Sequence, residues 1–450
     1  MDTRDALYAL SPLDGRYQSL VQPLRDYFSE FALMQYRLQV EVSYLLSLSK
    51  QHIVRAVTPE EQQLLSAAVH HFSLDDAKRI KAYEGEVRHD VKALEYFLKD
   101  KLDRTSLVDL LPFVHFGLTS DDVNNLAYGL TLSHAHTKSM LPALEHLCVV
   151  IATIADKSAG CLMLARTHGQ PAVPTTFGKE LAVFYVRLKK LQKKLQTFHF
   201  EGKCNGAVGN YNALAFAFPD IDWLTWSENF ISSLGLTANL VTTQLLPYDN
   251  YVEYFSLLGL VNTILIGLSQ DMWQYIRGEI VGLKKDAKQV GSSTMPQKVN
   301  PIDFENAEGN LQVANAYIEL YGRKFPVSRL QRDLSDSTVK RTIGSTLGHT
   351  LIAWKSLEKG LGKIAFHKKS AEKELNNHWE VLAEAMQVFL KVHGNAKGFE
   401  LVKSQLMGKT IDKKTFRRLV RQFPPLAKLT PSSYSGLAKK ITELALRARS

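Results

Sequence analysis

Apolar residues recur along this chain at helical spacing far more often than in alternation. Leu33–Leu48 (LMQYRLQVEVSYLLSL) is apolar-rich and free of Gly and Pro. Phe177–Phe198 sets apolar stripes between lysines, the pattern of a helix with one face turned inward. Tyr251–Ile276 is almost continuously apolar, and Ile302–Tyr321 and Ser337–Leu361 are two further long candidates. Strand-like alternation is sparse, and no Asn-Gly pair joins two alternating runs. The pattern predicts an all-α chain whose helices exceed the usual ~11–12 residues. Long helices with short connections form bundles.

Interruptions in the pattern suggest three domains. Leu111-Pro112 breaks a helical region, and Gly360-Leu361-Gly362 ends the long central runs. The expected division is an N-terminal helical domain over 1–110, a central long-helix bundle over 111–361 and a C-terminal helical domain over 362–450. The most apolar stretch, Tyr254–Ser269 (YFSLLGLVNTILIGLS), is short and is flanked by Asp249, Glu253 and Asp271. It reads as a buried bundle helix, not a membrane span.

Composition narrows the class. The chain has 450 residues, 45% apolar and 22% charged, which suits a soluble globular protein with a large core. Cys148, Cys161 and Cys204 are too scattered for a disulfide framework or a zinc site, so inert thiols in a reducing compartment are expected. The opening MDTRDALYALSPLDGRY has no apolar segment of a secretory leader. A cytoplasmic location is the expectation. The net charge of +10 suits either a nucleic-acid binder or an enzyme with anionic substrates. No basic arm favours the first.

Four polar, non-helical stretches stand just before predicted helices: SPLDGRY at 11–17, VHFGLTSDDVNN at 114–125, RTHGQPAVPTT at 166–176 and GSSTMPQKVNP at 291–301. Helix N-termini offer unpaired N–H groups and a positive dipole end, so they suit anions. Thr119 with Asp122 also has capping-box spacing, which alone accounts for that pair as well as a site does. His168 on its own would be a surface histidine, but Pro171 and Pro174 constrain its loop. GKCNGAVGNYN at 202–212 lacks both nucleotide-loop fingerprints. His134 and His136 face different sides of a helix, and no metal-ligand cluster occurs. Hydroxyls, a histidine, a lysine and amides remain, a set suited to acid–base chemistry on an anion.

GSSTMPQKVNP closely resembles the signature of the fumarase/aspartase superfamily. SPLDGRY, RHDVKALEYF at 88–97, HFGLTSDDVNN at 115–125, RTHGQPAVPTTFGKE at 166–180 and PVSRLQRDLSDSTVKR at 326–341 resemble the adenylosuccinate lyases, most closely their bacterial purine-pathway form. The resemblance runs from about residue 11 to about 390, and the last sixty residues carry little of it. It implies three helical domains per subunit, a central bundle assembled as a homotetramer and active sites shared among three subunits. It also implies elimination of fumarate from adenylosuccinate, giving AMP, and from SAICAR, giving AICAR, with no metal or cofactor. A base takes the proton beside a carboxylate, an acid protonates the leaving nitrogen, and aimed donors stabilise the charge.

Carried over by position, the resemblance makes Ser292 the base, with Ser293 its rival, and His168 the acid. Lys298 stabilises charge, Asn300 holds a carboxylate, and His89 orients the acid. Arg16 and Tyr17 match phosphate contacts. Arg88, His89 and Asp90 match the next binding stretch. Thr119 and Ser120 match the succinyl-carboxylate contacts, and Gln244 a further substrate contact. Arg329, Arg332, Ser337, Thr338, Val339, Lys340 and Arg341 match the remaining phosphate and ribose contacts. Three positions depart from the family pattern. Gln297 replaces a common histidine and is shared with argininosuccinate lyases. LLPYDNY at 245–251 lacks the usual histidine. Lys340 stands where an apolar residue is usual and is expected at the surface. The alternatives are another fumarate-releasing lyase such as an argininosuccinate lyase, or a catalytically silent structural protein on the same scaffold.

Overall fold

The computed structural model describes residues 7–284, 295 and 297–447. Their architecture is helical, with three two-stranded sheets, so the all-α expectation holds. Four of the predicted runs match observed helices closely: Glu30–Lys50, Phe177–Gln196, Asp249–Arg277 and Ile302–Lys324. The fifth does not. Ser337–Leu361 is split into Ser335–Lys340 and Ile343–Lys363. The Thr342 N–H and its hydroxyl both donate to the Val339 carbonyl, at 3.0 and 2.7 Å. That bond closes the first helix in a tight turn, and Thr342 is β-branched, a poor residue for continuing it.

The chain divides into two compact units. The first comprises Met1–Ala143, Lys194–Leu260 and Gln312–Ile352. At its centre Glu30–Lys50 packs against Ser120–Ala135 and Asp90–Leu102. Ser29 starts the central helix by accepting the Ala32 N–H at 3.1 Å. Leu38, Val40, Tyr44, Leu45 and Leu48 are fully enclosed, which explains why its apolar pattern is broader than one stripe. Leu13, Val21 and Ile352 form a smaller cluster against which Tyr17 and Leu20 pack.

The second unit comprises Leu144–Lys193, Val261–Leu311 and Ala353–Ser450. It contains an element the hydrophobic pattern did not announce, an antiparallel hairpin of Leu162–Thr167 with Gln170–Thr176. Thr167 pairs with Gln170, so the turn is His168-Gly169 alone. Both turn residues have positive φ, 53° and 75°, as a primed two-residue turn requires. Pro171 and Pro174 are tolerated because each strand of a two-stranded ribbon is an edge. Leu164 anchors the hairpin in a core formed by Leu375, Trp379, Leu382, Leu406, Phe416 and Val420. Val281–Leu283 pairs with Ile364–Phe366 just ahead of the signature stretch. Cys148 is buried in this unit and Cys204 in the first, while Cys161 is half-buried; burial pushes all three thiols up, away from reactivity.

Candidate active site

Three of the four polar stretches stand directly before a helix, Gln18–Phe28, Phe177–Gln196 and Ile302–Lys324, and the 114–125 stretch runs into the first turns of Ser120–Ala135. In the first unit the 114–125 stretch meets the glycine-rich loop at 202–212, and the segments around Gln244 and Gln331 join them. The Thr243 hydroxyl donates to the Gln331 carbonyl at 3.0 Å. Gln244 donates from Nε2 to the Ala207 carbonyl at 2.8 Å. Ala207 belongs to the glycine-rich loop, whose Asn205 and Gly206 N–H groups donate to Asp122, each at 3.1 Å. Asp122 also accepts the Thr119 N–H at 2.8 Å and meets the Lys203 ammonium at 2.9 Å, both side chains fully buried. Asp122 therefore does more than cap a helix. It ties the glycine-rich loop to the backbone of Thr119.

Asp90 joins the same region through Arg37, which reaches its carboxylate at 2.6 Å and the Asn124 side-chain oxygen at 2.8 Å. Burial alone would push Asp90 up, but Arg37 outweighs it and holds the carboxyl below its ordinary value. Arg88 has a left-handed backbone, φ 52°, between two helices, and His89 caps the second of them. The His89 Nδ1 accepts the Lys92 N–H at 3.1 Å, which leaves Nε2 as the ring's possible donor, and the residue is exposed. Arg16 is exposed, with its guanidinium 5.9 Å from the Tyr17 ring centre. Asp14 of that stretch and Arg341 line one cavity of about 530 Å³. Arg329 is open to solvent, with its N–H bound to Asp333 at 3.0 Å. Ser337 and Val339 are half-buried and Thr338 is exposed.

Lys340 is not at the surface, contrary to the expectation from its charge. Its side chain is 3% exposed, with Nζ 2.7 Å from Asp336 and 3.8 Å from Asp121. Nζ also donates to the Tyr248 hydroxyl at 2.7 Å and lies 4.5 Å from that ring's centre. Two carboxylates compensate the buried cation, which is why the interior accepts it, and its ammonium is turned to protein groups instead of solvent. Arg332 approaches the same Asp121 oxygen at 3.3 Å. Burial pushes Asp121 up, and the cations Lys340, Arg332 and Lys203 pull the other way. Reading motifs missed Asp121, Asp122 and Lys203 as organising groups. The available signal was two adjacent aspartates opening an otherwise apolar helix.

In the second unit His168 is exposed at the hairpin tip, and Arg166 braces the turn by donating to the Gly169 carbonyl at 3.1 Å while pairing with Glu374. Lys298 is exposed and Asn300 half-buried, both just ahead of Ile302–Lys324. The Lys298 N–H donates to the Met295 carbonyl at 3.0 Å, and in sequence the lysine stands four residues ahead of the helix Ile302–Lys324. The positive dipole end there favours anions. Ser292 and Ser293 lie outside the described residues.

Two family models match the chain. A lyase model covers residues 15–315 and a model of the adenylosuccinate lyase C-terminal region covers 328–434. The second match reaches well beyond the motifs, which faded near residue 390. Adenylosuccinate lyase of Haemophilus influenzae is 45% identical over 97% of this chain and 98% of its own length. The Escherichia coli enzyme of that name is 42% identical over 96% and 97%. Among solved structures, a fumarate lyase from Mesorhizobium sp. BNC1 superposes with a TM-score of 0.78 at 18% identity, covering 95% of this chain and 98% of its own. The 3-carboxy-cis,cis-muconate lactonizing enzyme of Pseudomonas putida gives 0.77 at 20%, with 94% and 96% covered. Those two likenesses concern the fold.

Proposed function

The chain belongs to the adenylosuccinate lyase family of the fumarase/aspartase superfamily, and from that premise we propose that it releases fumarate from adenylosuccinate, leaving AMP, and from SAICAR, leaving AICAR. The observation that carries this reading is the near-full-length identity with adenylosuccinate lyases. The convergence of the 119–121, 244 and 331–332 stretches in one unit supports it.

In this reading Ser292 removes the proton next to a succinyl carboxylate. Thr119, Ser120 and Asn300 hold the carboxylates, and Lys298 with local N–H groups stabilises the aci-carboxylate that forms. His168 delivers a proton to the departing nitrogen as the carbon–nitrogen bond breaks. His89, whose Nδ1 caps its helix, orients the acid. Arg16, Tyr17, Arg88, Asp90, Gln244, Arg329, Arg332, Ser337, Thr338, Val339 and Arg341 receive the phosphate, ribose and base. Arginine suits phosphate because its planar fork donates two parallel bonds. The reaction uses no cofactor. The three-domain division, a homotetramer with shared sites and a cytoplasmic location belong to the same proposal.

The test is direct. Adenylosuccinate is added to the purified protein, and its ultraviolet absorbance is followed along with fumarate and AMP. Argininosuccinate runs in parallel, because Gln297 is compatible with it. Turnover of argininosuccinate alone would preserve the elimination chemistry and overturn the substrate.

A further inference from the structure

Three separated stretches that carry proposed substrate contacts end on one enclosed ion cluster. Asp121 follows Ser120 directly. Asp336 precedes Ser337, and Lys340 closes the same short helix, Ser335–Lys340. Tyr248 lies four residues after Gln244. Among the described residues Lys340 touches all three: Asp336 at 2.7 Å, Tyr248 at 2.7 Å and Asp121 at 3.8 Å. Its ammonium also lies 5.5 Å from the Tyr128 ring centre, which together with Tyr248 gives it two aromatic neighbours. Arg332 adds the second cation at 3.3 Å from Asp121, so two cations face two carboxylates and the cluster is neutral. Both oxygens of Asp121 and of Asp336 nevertheless lack a well-directed hydrogen bond. The cluster is held by charge more than by hydrogen-bond geometry, so removing one charge leaves its neighbours without alternatives.

We propose that Lys340 is a positioning residue for the elimination: its buried ammonium clamps Asp121, Asp336 and Tyr248, and so fixes the carboxylate-binding end of the helix Ser120–Ala135 against the 332–341 segment. Arg332 stays partly open, at 21% exposure, because Lys340 shares the charge of Asp121 with it. Its remaining donors are left to a phosphate. Without Lys340, Arg332 is drawn inward to neutralise Asp121 alone.

The inference rests on the function proposed above, so its test has one arm that needs no substrate. In Lys340→Met, KM for adenylosuccinate rises on the order of tenfold with a smaller change in kcat, because the loss falls on substrate placement. Amide hydrogen exchange in the free protein speeds up at 119–123 and 332–341. A merely structural role would lower the active fraction, and with it kcat, at constant KM. The double variant Lys340→Met/Asp336→Asn is again neutral in charge and covers the case in which the single variant folds poorly. It recovers thermal stability but keeps the raised KM. Unchanged KM and unchanged exchange in these variants would overturn the proposal. If the wild-type protein does not turn over adenylosuccinate, the functional reading fails instead, and the exchange comparison alone decides whether Lys340 is the clamp.

Discussion

Asp122→Asn is nearly isosteric, yet it should be among the most damaging single changes in the first unit. Both carboxylate oxygens face donors only. One accepts the Asn205 N–H at 3.1 Å and meets the Lys203 ammonium at 2.9 Å. The other accepts the N–H groups of Thr119 at 2.8 Å and Gly206 at 3.1 Å. An asparagine NH₂ must replace one oxygen or the other, so in either orientation it points donor against donor. Lys203 is left as an enclosed cation without its partner, a break that costs about 3–5 kcal/mol. Each orphaned N–H costs roughly 1–3 kcal/mol more if nothing reaches it. The terms share one site and do not add, so a loss of about 3–5 kcal/mol is the working figure. Against total stabilities of roughly 5–15 kcal/mol, that is a large share. Guanidinium unfolding followed by tryptophan fluorescence reads it, since Trp223 and Trp226 lie in the same unit. Lys203→Met should fall in the same range. Asp122→Leu/Lys203→Met should recover part of the loss, because no lone charge remains, but not all, because the three backbone donors still lack an acceptor. A loss under about 1 kcal/mol for Asp122→Asn would refute the reasoning, since the broken pair alone predicts more.

Three further outcomes are expected. His115 bonds Glu41 at 2.5 Å inside the unit; burial pushes its pKa down, the bond to Glu41 pushes it further up, and the net direction is upward. That pair therefore contributes fully below the unfolded histidine value of ~6.5 and is lost as pH rises through the folded value, so stability should fall with alkalinity there in the wild type and not in His115→Gln. Gly209 has φ 82°, and an added methyl would run into the Thr242 carbonyl oxygen. Gly209→Ala should cost about 1–3 kcal/mol and raise KM through Gln244, and an unchanged melting temperature would count against it. Ser292→Ala and His168→Asn should each abolish turnover, and, on the proposal that subunits share the site, mixing the two after verified subunit exchange should restore part of it by pairing one intact residue from each variant.

The long helices were legible because their burial is periodic in sequence, and burial is what makes them helices. The break at Arg341-Thr342 was not, since it depends on a turn closed by one hydroxyl and one N–H on a single carbonyl. The hairpin was invisible to alternation because its second strand carries two prolines and its turn is His-Gly. The proposed site was legible through long motifs, not through physics visible at single positions. What motifs could not convey was partnership. Asp122 and Lys203 are far apart in the chain, and no local pattern says that they meet. Lys340 was misread for the converse reason: a lysine is nearly always a surface residue, and although Asp336 is its local i,i+4 partner, only tertiary structure supplies Asp121 and the burial that make an exception.

The positive φ of His168 restricts which residues evolution or an engineer can place there. Glycine, asparagine, aspartate and histidine enter that backbone region at least cost and β-branched residues at most, while Arg88, Tyr211 and Leu330 show that this protein also holds larger residues there. Of the favoured few, histidine alone exchanges protons near neutrality. The turn thus acts as a filter on the genetic alphabet, passing a handful of letters of which one suits a general acid. A library randomised at this position should give its most stable variants with those letters. Asparagine is then the cleanest way to delete the chemistry while leaving the backbone undisturbed.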